Sequence, residues 1–167
     1  CARDVGTARL EAREYGPLLL QGVTGRGKTE VYLRAIDEAL RRDRSAIVLL
    51  PEIALTPQTE ARFRERLGDE VAVLHSGLPA GERCRVHEAA ARGEIRVVLG
   101  PRSALFVPVR DLGVVVVDEE HETSHKQAEK PRYHARHAAL VRARAAGAPV
   151  VLGSAPPPLH SWLNARP

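Results

Sequence analysis

The sequence predicts an α/β fold, a mostly parallel sheet with helices on both faces. Three observations carry that expectation: short runs that are apolar at consecutive positions, longer amphipathic runs between them, and turn-forming residues at most junctions. A strand covered on both faces reads as a continuous apolar run, whereas a strand with one wet face alternates. Strands interleaved with helices are the pattern of a parallel sheet.

Taken in order, residues 18–21 are a short apolar run that ends in a glycine-rich turn, and 28–41 then carries Val31, Ile36 and Leu40 at helical spacing. This is strand, loop, helix. Residues 46–50 form the second strand, and Thr56 with Pro57 is an N-cap and first-turn pair opening a helix that Gly68 closes. Residues 71–74 are a third strand. A helix over 80–92 ends at Gly93, and 95–99 and 114–117 are two further strands, apolar throughout except for Arg96. The last helix begins near His134 and stops at Gly147, before a strand over 149–152. The proline run Pro156, Pro157, Pro158 continues neither regular structure. The expected organisation is therefore an amino-terminal flank over 1–16, one lobe over 17–155, and the start of a connection over 156–167.

At 167 residues and 44% apolar content the chain suits one domain with a substantial core. No apolar run approaches the roughly 20 residues of a membrane span, and residues 1–14 lack the apolar middle of a signal peptide, so a cytoplasmic location with no membrane contact is expected. Two cysteines, Cys1 and Cys84, make neither a disulfide framework nor a zinc pattern. The net charge is +4, and nearly all of the 25 basic residues are Arg, which grips phosphate with a planar fork and makes a polyanion a plausible partner. The competing reading of such residues, applied to Arg62, Arg64 and Arg66, is a solvated helix face. The chain contains no methionine, so it is expected to be part of a longer protein.

The chemistry begins at Gly22, Val23, Thr24, Gly25, Arg26, Gly27, Lys28 and Thr29, a glycine, four residues, and then Gly-Lys-Thr, set between a strand and a helix. Glycines let backbone amides close on phosphate oxygens, and the helix N-terminus adds a favourable dipole. Lys28 is placed to reach the terminal phosphates of a nucleoside triphosphate, and Thr29 to offer a hydroxyl to Mg2+, which prefers hard oxygen ligands. The partner motif is the apolar run 114–117 followed by Asp118, Glu119, Glu120 and His121. Such a strand delivers acids to the carboxyl edge of the sheet, where ligands bind in open α/β folds. Asp118 is then a Mg2+ ligand, and Glu119 the group that polarises the attacking water in phosphoryl transfer. An acidic run capping the next helix is the competing reading, but it leaves Lys28 and Thr29 without a metal partner.

His121, Glu122 and His125 also spell the HExxH zinc-protease pattern. That reading needs a helix through these residues and a third ligand, and Ala128 stands where the longer form has glycine.

With both motifs placed, the chain resembles the superfamily-two helicases, specifically the first motor lobe of the bacterial replication-restart (PriA, primosomal protein N-prime) family. The resemblance spans 18–155 and rests on the blocks at 22–33, 51–58, 75–78, 102–106, 118–121, 126–127 and 132–136. It implies a RecA-like P-loop lobe of an ATP-dependent DNA helicase, active in primosome assembly and replication restart and moving 3′ to 5′ on single-stranded DNA. ATP and Mg2+ are the implied cofactors, with zinc confined to a cysteine-rich module that these residues do not include. Single-stranded and forked DNA, the primosome and single-strand-binding proteins are the implied partners. The resemblance makes Thr56, Gln58, His75, Ser76, Gly77, Arg102, Ser103 and Tyr133 candidate DNA contacts, and His121, Lys126, Ser154 and Ala155 candidate coupling residues. Hydroxyls, Arg and helix N-termini grip phosphate without reading sequence. For Thr56 a simple helix cap is the alternative, and for His75 and Ser76 a plain turn.

The chain departs from the family pattern around 125–133, where His125 and Pro131 replace aromatic residues and only Tyr133 keeps a full ring. Pro156 stands in place of a threonine after Ser154 and Ala155, Pro101 precedes Arg102 where threonine is usual, and His137 replaces an aspartate. A divergent relative with weakened coupling between ATP and DNA is therefore a second reading. Because such motors draw an arginine from a second lobe, this chain alone is expected to bind Mg-ATP and turn it over slowly.

Overall fold

The computed structural model describes residues 16–21, 27–119 and 133–154. Six strands, β1 (Pro17–Gln21), β2 (Ser45–Leu49), β3 (Val71–Val73), β4 (Val97–Gly100), β5 (Leu112–Val117) and β6 (Val150–Ser154), form one sheet in the order β1-β6-β5-β2-β4-β3. Every pairing is parallel. Four helices connect them: α1 (Lys28–Arg41), α2 (Pro57–Leu67), α3 (Ala80–Arg92) and α4 (Ala135–Ala146). Short 3-10 turns at Glu52–Ala54 and Gly68–Glu70 flank α2 between β2 and β3, and one at Arg102–Phe106 lies on the β4 to β5 connection.

The strand order dictates which face each helix covers. Crossovers between parallel strands are right-handed, so helices on connections running one way along the sheet lie on one face and those running back lie on the other. The β1 to β2 and β2 to β3 connections run toward β3, and α1 and α2 bury Tyr32, Leu33, Ile36 and Phe63 on one face against Ala46, Val48, Leu99, Val114 and Val116. Connections after β3 run back. Ala90 of α3 and Ala135, Ala139 and Ala143 of α4 cover the opposite face, against Ile47, Leu49, Val98, Val115 and Val117. All five residues of β2 and all six of β5 are buried, as their unbroken apolar runs require.

The helices end where the sequence punctuates them. Thr56 caps α2 by accepting a hydrogen bond from the Thr59 amide at 3.2 Å, with Pro57 in the first turn. Gly68, Gly93 and Gly147 close α2, α3 and α4. His134 caps α4 through its ring nitrogen, which accepts from the Arg136 amide. Arg62, Arg64 and Arg66 are exposed on α2, the solvated face weighed above, and Arg66 pairs with Asp37 of α1.

Several strand boundaries differ from expectation by one or two residues: β5 starts at Leu112 rather than residue 114, and β6 covers Val150–Ser154 rather than 149–152. β4 starts at Val97 rather than residue 95, because Arg96 is diverted from the sheet face. Its guanidinium donates to Glu70 Oε2 and Asp43 Oδ1, both at 2.9 Å, and ties the start of β4 to the ends of α1 and α2. Arg44 acts similarly at β5, donating to the carbonyls of Leu112 at 2.5 Å and Ala146 at 2.9 Å.

Candidate functional site

In a parallel sheet every strand presents its carboxyl end at one edge, so residues that follow different strands meet there. α1 starts directly after Gly27, whose φ of 86° lies in the left-handed region that side chains resist. No side chain caps this helix start among the described residues, which leaves its first turn as an amide-rich anion site. Lys28, the first helical residue, is buried, and Thr29 beside it is half-buried.

At the end of β5 the Asp118 amide still donates to Leu49 O at 2.9 Å, so the acid is anchored in the ladder with β2. Glu119 then takes a φ of 44°, a left-handed conformation that costs a non-glycine residue roughly 1–3 kcal/mol. The turn brings both acids to Lys28. Its Nζ donates to Glu119 Oε1 at 2.6 Å and lies 3.8 Å from Asp118 Oδ1, with side-chain exposures of 8% for the lysine and 18% and 19% for the acids. Those exposures matter, because a charge pair removed from bulk water is screened far less than a surface pair. Lys28 and Glu119 are 91 residues apart in sequence, and only the fold joins them.

A third contact was not foreseen. The phenol of Tyr32, one turn beyond Lys28 on α1, donates to Asp118 Oδ1 at 2.7 Å. Burial, reinforced by the charge of Asp118, its hydrogen bond and the charge of Glu119, pushes the phenol far above the usual tyrosine range, so it stays protonated and donates. The four-residue spacing between Lys28 and Tyr32, which puts both on one helix face, was the available signal.

The candidate DNA residues follow the other strands. Thr56 and Gln58 come after β2, exposed His75, Ser76 and Gly77 after β3, and Arg102 and Ser103 after β4. Thr56 is engaged as a helix cap. Tyr133 meets Phe106 edge-on, with ring centroids 5.3 Å apart and planes at 85°. Phe106, 58% exposed, is a second ring that the motif reading left without a role. Burial pushes the Tyr133 hydroxyl above the usual tyrosine range, and the charge of Arg102 partly opposes it. Because the sheet order is β1-β6-β5-β2-β4-β3, the described triphosphate candidates Lys28, Thr29, Asp118 and Glu119 follow strands of one half, β1 and β5, and the DNA candidates from Thr56 to Ser103 follow β2, β3 and β4 of the other.

Ser154 ends β6, fully buried and in register with Gln21. Gly22, Val23, Thr24, Gly25 and Arg26 lie outside the described residues, as do His121, Glu122, His125, Lys126, Pro131, Ala155 and Pro156. The zinc-protease pattern and most departures from the family therefore fall there.

Residues 8–163 match the DEAD/DEAH box helicase family. The chain belongs to that family. The match takes in the HExxH stretch, so those residues lie inside a helicase sequence. This family member is 51% identical to the replication restart protein PriA of Bacillus subtilis (strain 168) over 157 residues, 94% of the chain and 20% of that protein. It is 50% identical to the replication restart protein PriA of Chlamydia pneumoniae over 157 residues, 93% of the chain and 21% of that protein. The resemblance drawn from the sequence blocks thus stands, and the chain spans about a fifth of the length of these relatives. The solved C-terminal domain of the DEAD-box protein Dbp5 superposes with a TM-score of 0.55 at 16% identity, covering 86% of this chain and 78% of that one. At that identity it speaks for the fold alone, an α/β RecA-like lobe.

Proposed function

We propose that this chain is the ATP-binding motor lobe of a DNA helicase acting in replication restart. The observation that carries the reading is the convergence of Lys28, Asp118 and Glu119 at one sheet edge, with Lys28 Nζ 2.6 Å from Glu119 Oε1 and 3.8 Å from Asp118 Oδ1. Kinship with PriA proteins supports the choice of DNA and restart over other helicase work.

The donor set fits magnesium. Asp118 and Thr29 offer hard oxygens, and Mg2+ is ordinarily held by one or two carboxylates together with substrate phosphates rather than by an all-protein cage. When bound, Mg2+ neutralises charge developing on the transferred phosphoryl group. The chain's own residues do the rest. Amides of the first turn of α1 and the preceding glycine-rich loop hold phosphate oxygens, and Lys28 exchanges Glu119 for a terminal phosphate. Glu119, released from the ammonium, then orients and deprotonates the attacking water.

On the other half of the edge, Arg102, Ser103, Gln58 and the 75–77 turn grip the strand's phosphates, while Tyr133 and Phe106 offer ring surface to its bases. Coupling is assigned to the end of β6 through Ser154 and to His121, Lys126 and Ala155. Movement is 3′ to 5′, forked DNA is the working substrate, and the protein acts in the cytoplasm with primosome and single-strand-binding partners. Among the described residues no helix is long and apolar enough to cross a membrane.

The test is ATP hydrolysis by the full-length protein with and without single-stranded DNA, followed by unwinding of duplexes carrying a 3′ or a 5′ tail. Stimulation by DNA and unwinding of the 3′-tailed but not the 5′-tailed duplex support the reading. An ATPase indifferent to DNA, or no hydrolysis under any condition, overturns it.

A further inference from the structure

We propose that Tyr32 is a positioning residue that fixes the carboxylate of Asp118, and that Gly153 is the notch in β6 that admits it. The inference rests on the reading of Asp118 as a magnesium ligand.

Tyr32 projects from α1 across the carboxyl end of β6 to reach the acid that follows β5. Its path is open only because position 153 has no side chain. A Cβ there would lie 1.7 Å from the Tyr32 hydroxyl, 2.9 Å from its Cζ and 3.0 Å from Asp118 Oδ1. The first distance is a hard clash with a ring that is only 1% exposed and has nowhere to withdraw to. The phenol ends 2.7 Å from Asp118 Oδ1. Pinning one carboxylate oxygen fixes the plane of the group and the direction of the other, which is the orientation that an octahedral cation with narrow geometric tolerance demands. One hydroxyl therefore ties the helix that starts at Lys28 to the acidic turn, past the glycine of the strand carrying Ser154.

A purely structural tyrosine would make the same hydrogen bond, since buried hydroxyls are generally satisfied. The two roles separate when metal dependence is read. Tyr32→Phe removes only the oxygen. A fluorescent ATP analogue is titrated against this chain and the variant over a series of Mg2+ concentrations, with an EDTA arm and a thermal melt as the fold control. The expected result is a rise of about tenfold to a hundredfold, the usual effect of losing a hydrogen bond that orients a metal-ligating carboxylate, in the Mg2+ concentration for half-maximal binding. Affinity in EDTA stays the same. Gly153→Ala, which displaces the phenol, should give a similar shift, and adding it to Tyr32→Phe should change little more. A Tyr32→Phe chain that melts cooperatively and keeps the wild-type Mg2+ midpoint overturns the positioning role. A wild-type chain that binds the analogue with no Mg2+ dependence overturns the magnesium reading itself, and the inference with it.

Discussion

Lys28 Nζ sits 2.6 Å from Glu119 Oε1, so the cation that opens α1 and the acid that follows β5 already neutralise each other. On the proposed reading the pair acts as a relay: a phosphate that takes the ammonium frees the carboxylate beside the point of attack. Glu119 makes this contact from a left-handed backbone, at a φ of 44°.

Glu119→Gln should therefore separate binding from turnover. The amide keeps the shape but cannot take a proton, and general-base catalysis is worth about 100-fold to 10,000-fold. Phosphate release by the full-length protein should fall by at least about 100-fold, while analogue affinity stays within about threefold. Near-normal turnover would remove Glu119 from the chemistry.

On the DNA half of the edge, charge and ring surface should respond differently to salt. Arg102→Ala should weaken single-strand binding for all sequences alike and reduce the slope of log affinity against log salt by about 0.7, the share of one phosphate contact. Phe106→Ala should leave that slope alone and lose about 1–3 kcal/mol if one base stacks on the ring. Anisotropy titrations at four salt concentrations read both numbers. Equal salt slopes in wild type and Arg102→Ala would exclude that contact.

Thr56 has a job in the fold whatever else it does. Thr56→Ala removes the oxygen that receives the Thr59 amide and should cost about 1 kcal/mol in urea denaturation, with Thr56→Ser restoring most of it. An unchanged midpoint would mean that another group satisfies that amide.

Arg44 should matter more than its place in a short turn suggests. Arg44→Ala strands the carbonyls of Leu112 and Ala146 and should destabilise the lobe by about 1–3 kcal/mol, read in the same denaturation experiment. No loss would show that water replaces the guanidinium at both carbonyls.

Local features of the sequence were enough to place the elements. Thr56, Pro57, Gly68, Gly93 and Gly147 act on their own neighbours, which is why α2 and α3 fall where capping chemistry puts them. The convergence of Lys28 with Asp118 and Glu119 was also legible, because two motifs expected to serve one ligand are expected to meet. What periodicity could not show were contacts set by strand order. Tyr32 and Asp118 stand 86 residues apart, and the one local hint is that Tyr32 shares a helix face with Lys28. Gly153 read as an ordinary position in an apolar run, although a glycine inside a strand often marks a close approach by another group. Arg96 was visible as an anomaly, but its partners Glu70 and Asp43 lie on separate connections brought together only by the sheet. The ring pair of Phe106 and Tyr133 joins the turn after β4 to the approach to α4, and strand order alone makes those segments neighbours.

The central claim is that Lys28, Asp118 and Glu119 serve one magnesium-bound triphosphate. Titrating a fluorescent ATP analogue in Mg2+ against this chain and its Lys28→Ala variant tests it most directly. The account predicts saturable binding that weakens at least about tenfold in the variant, the loss expected when a charge-assisted contact to phosphate is removed. Equal affinity in the two proteins, both folded, would contradict it.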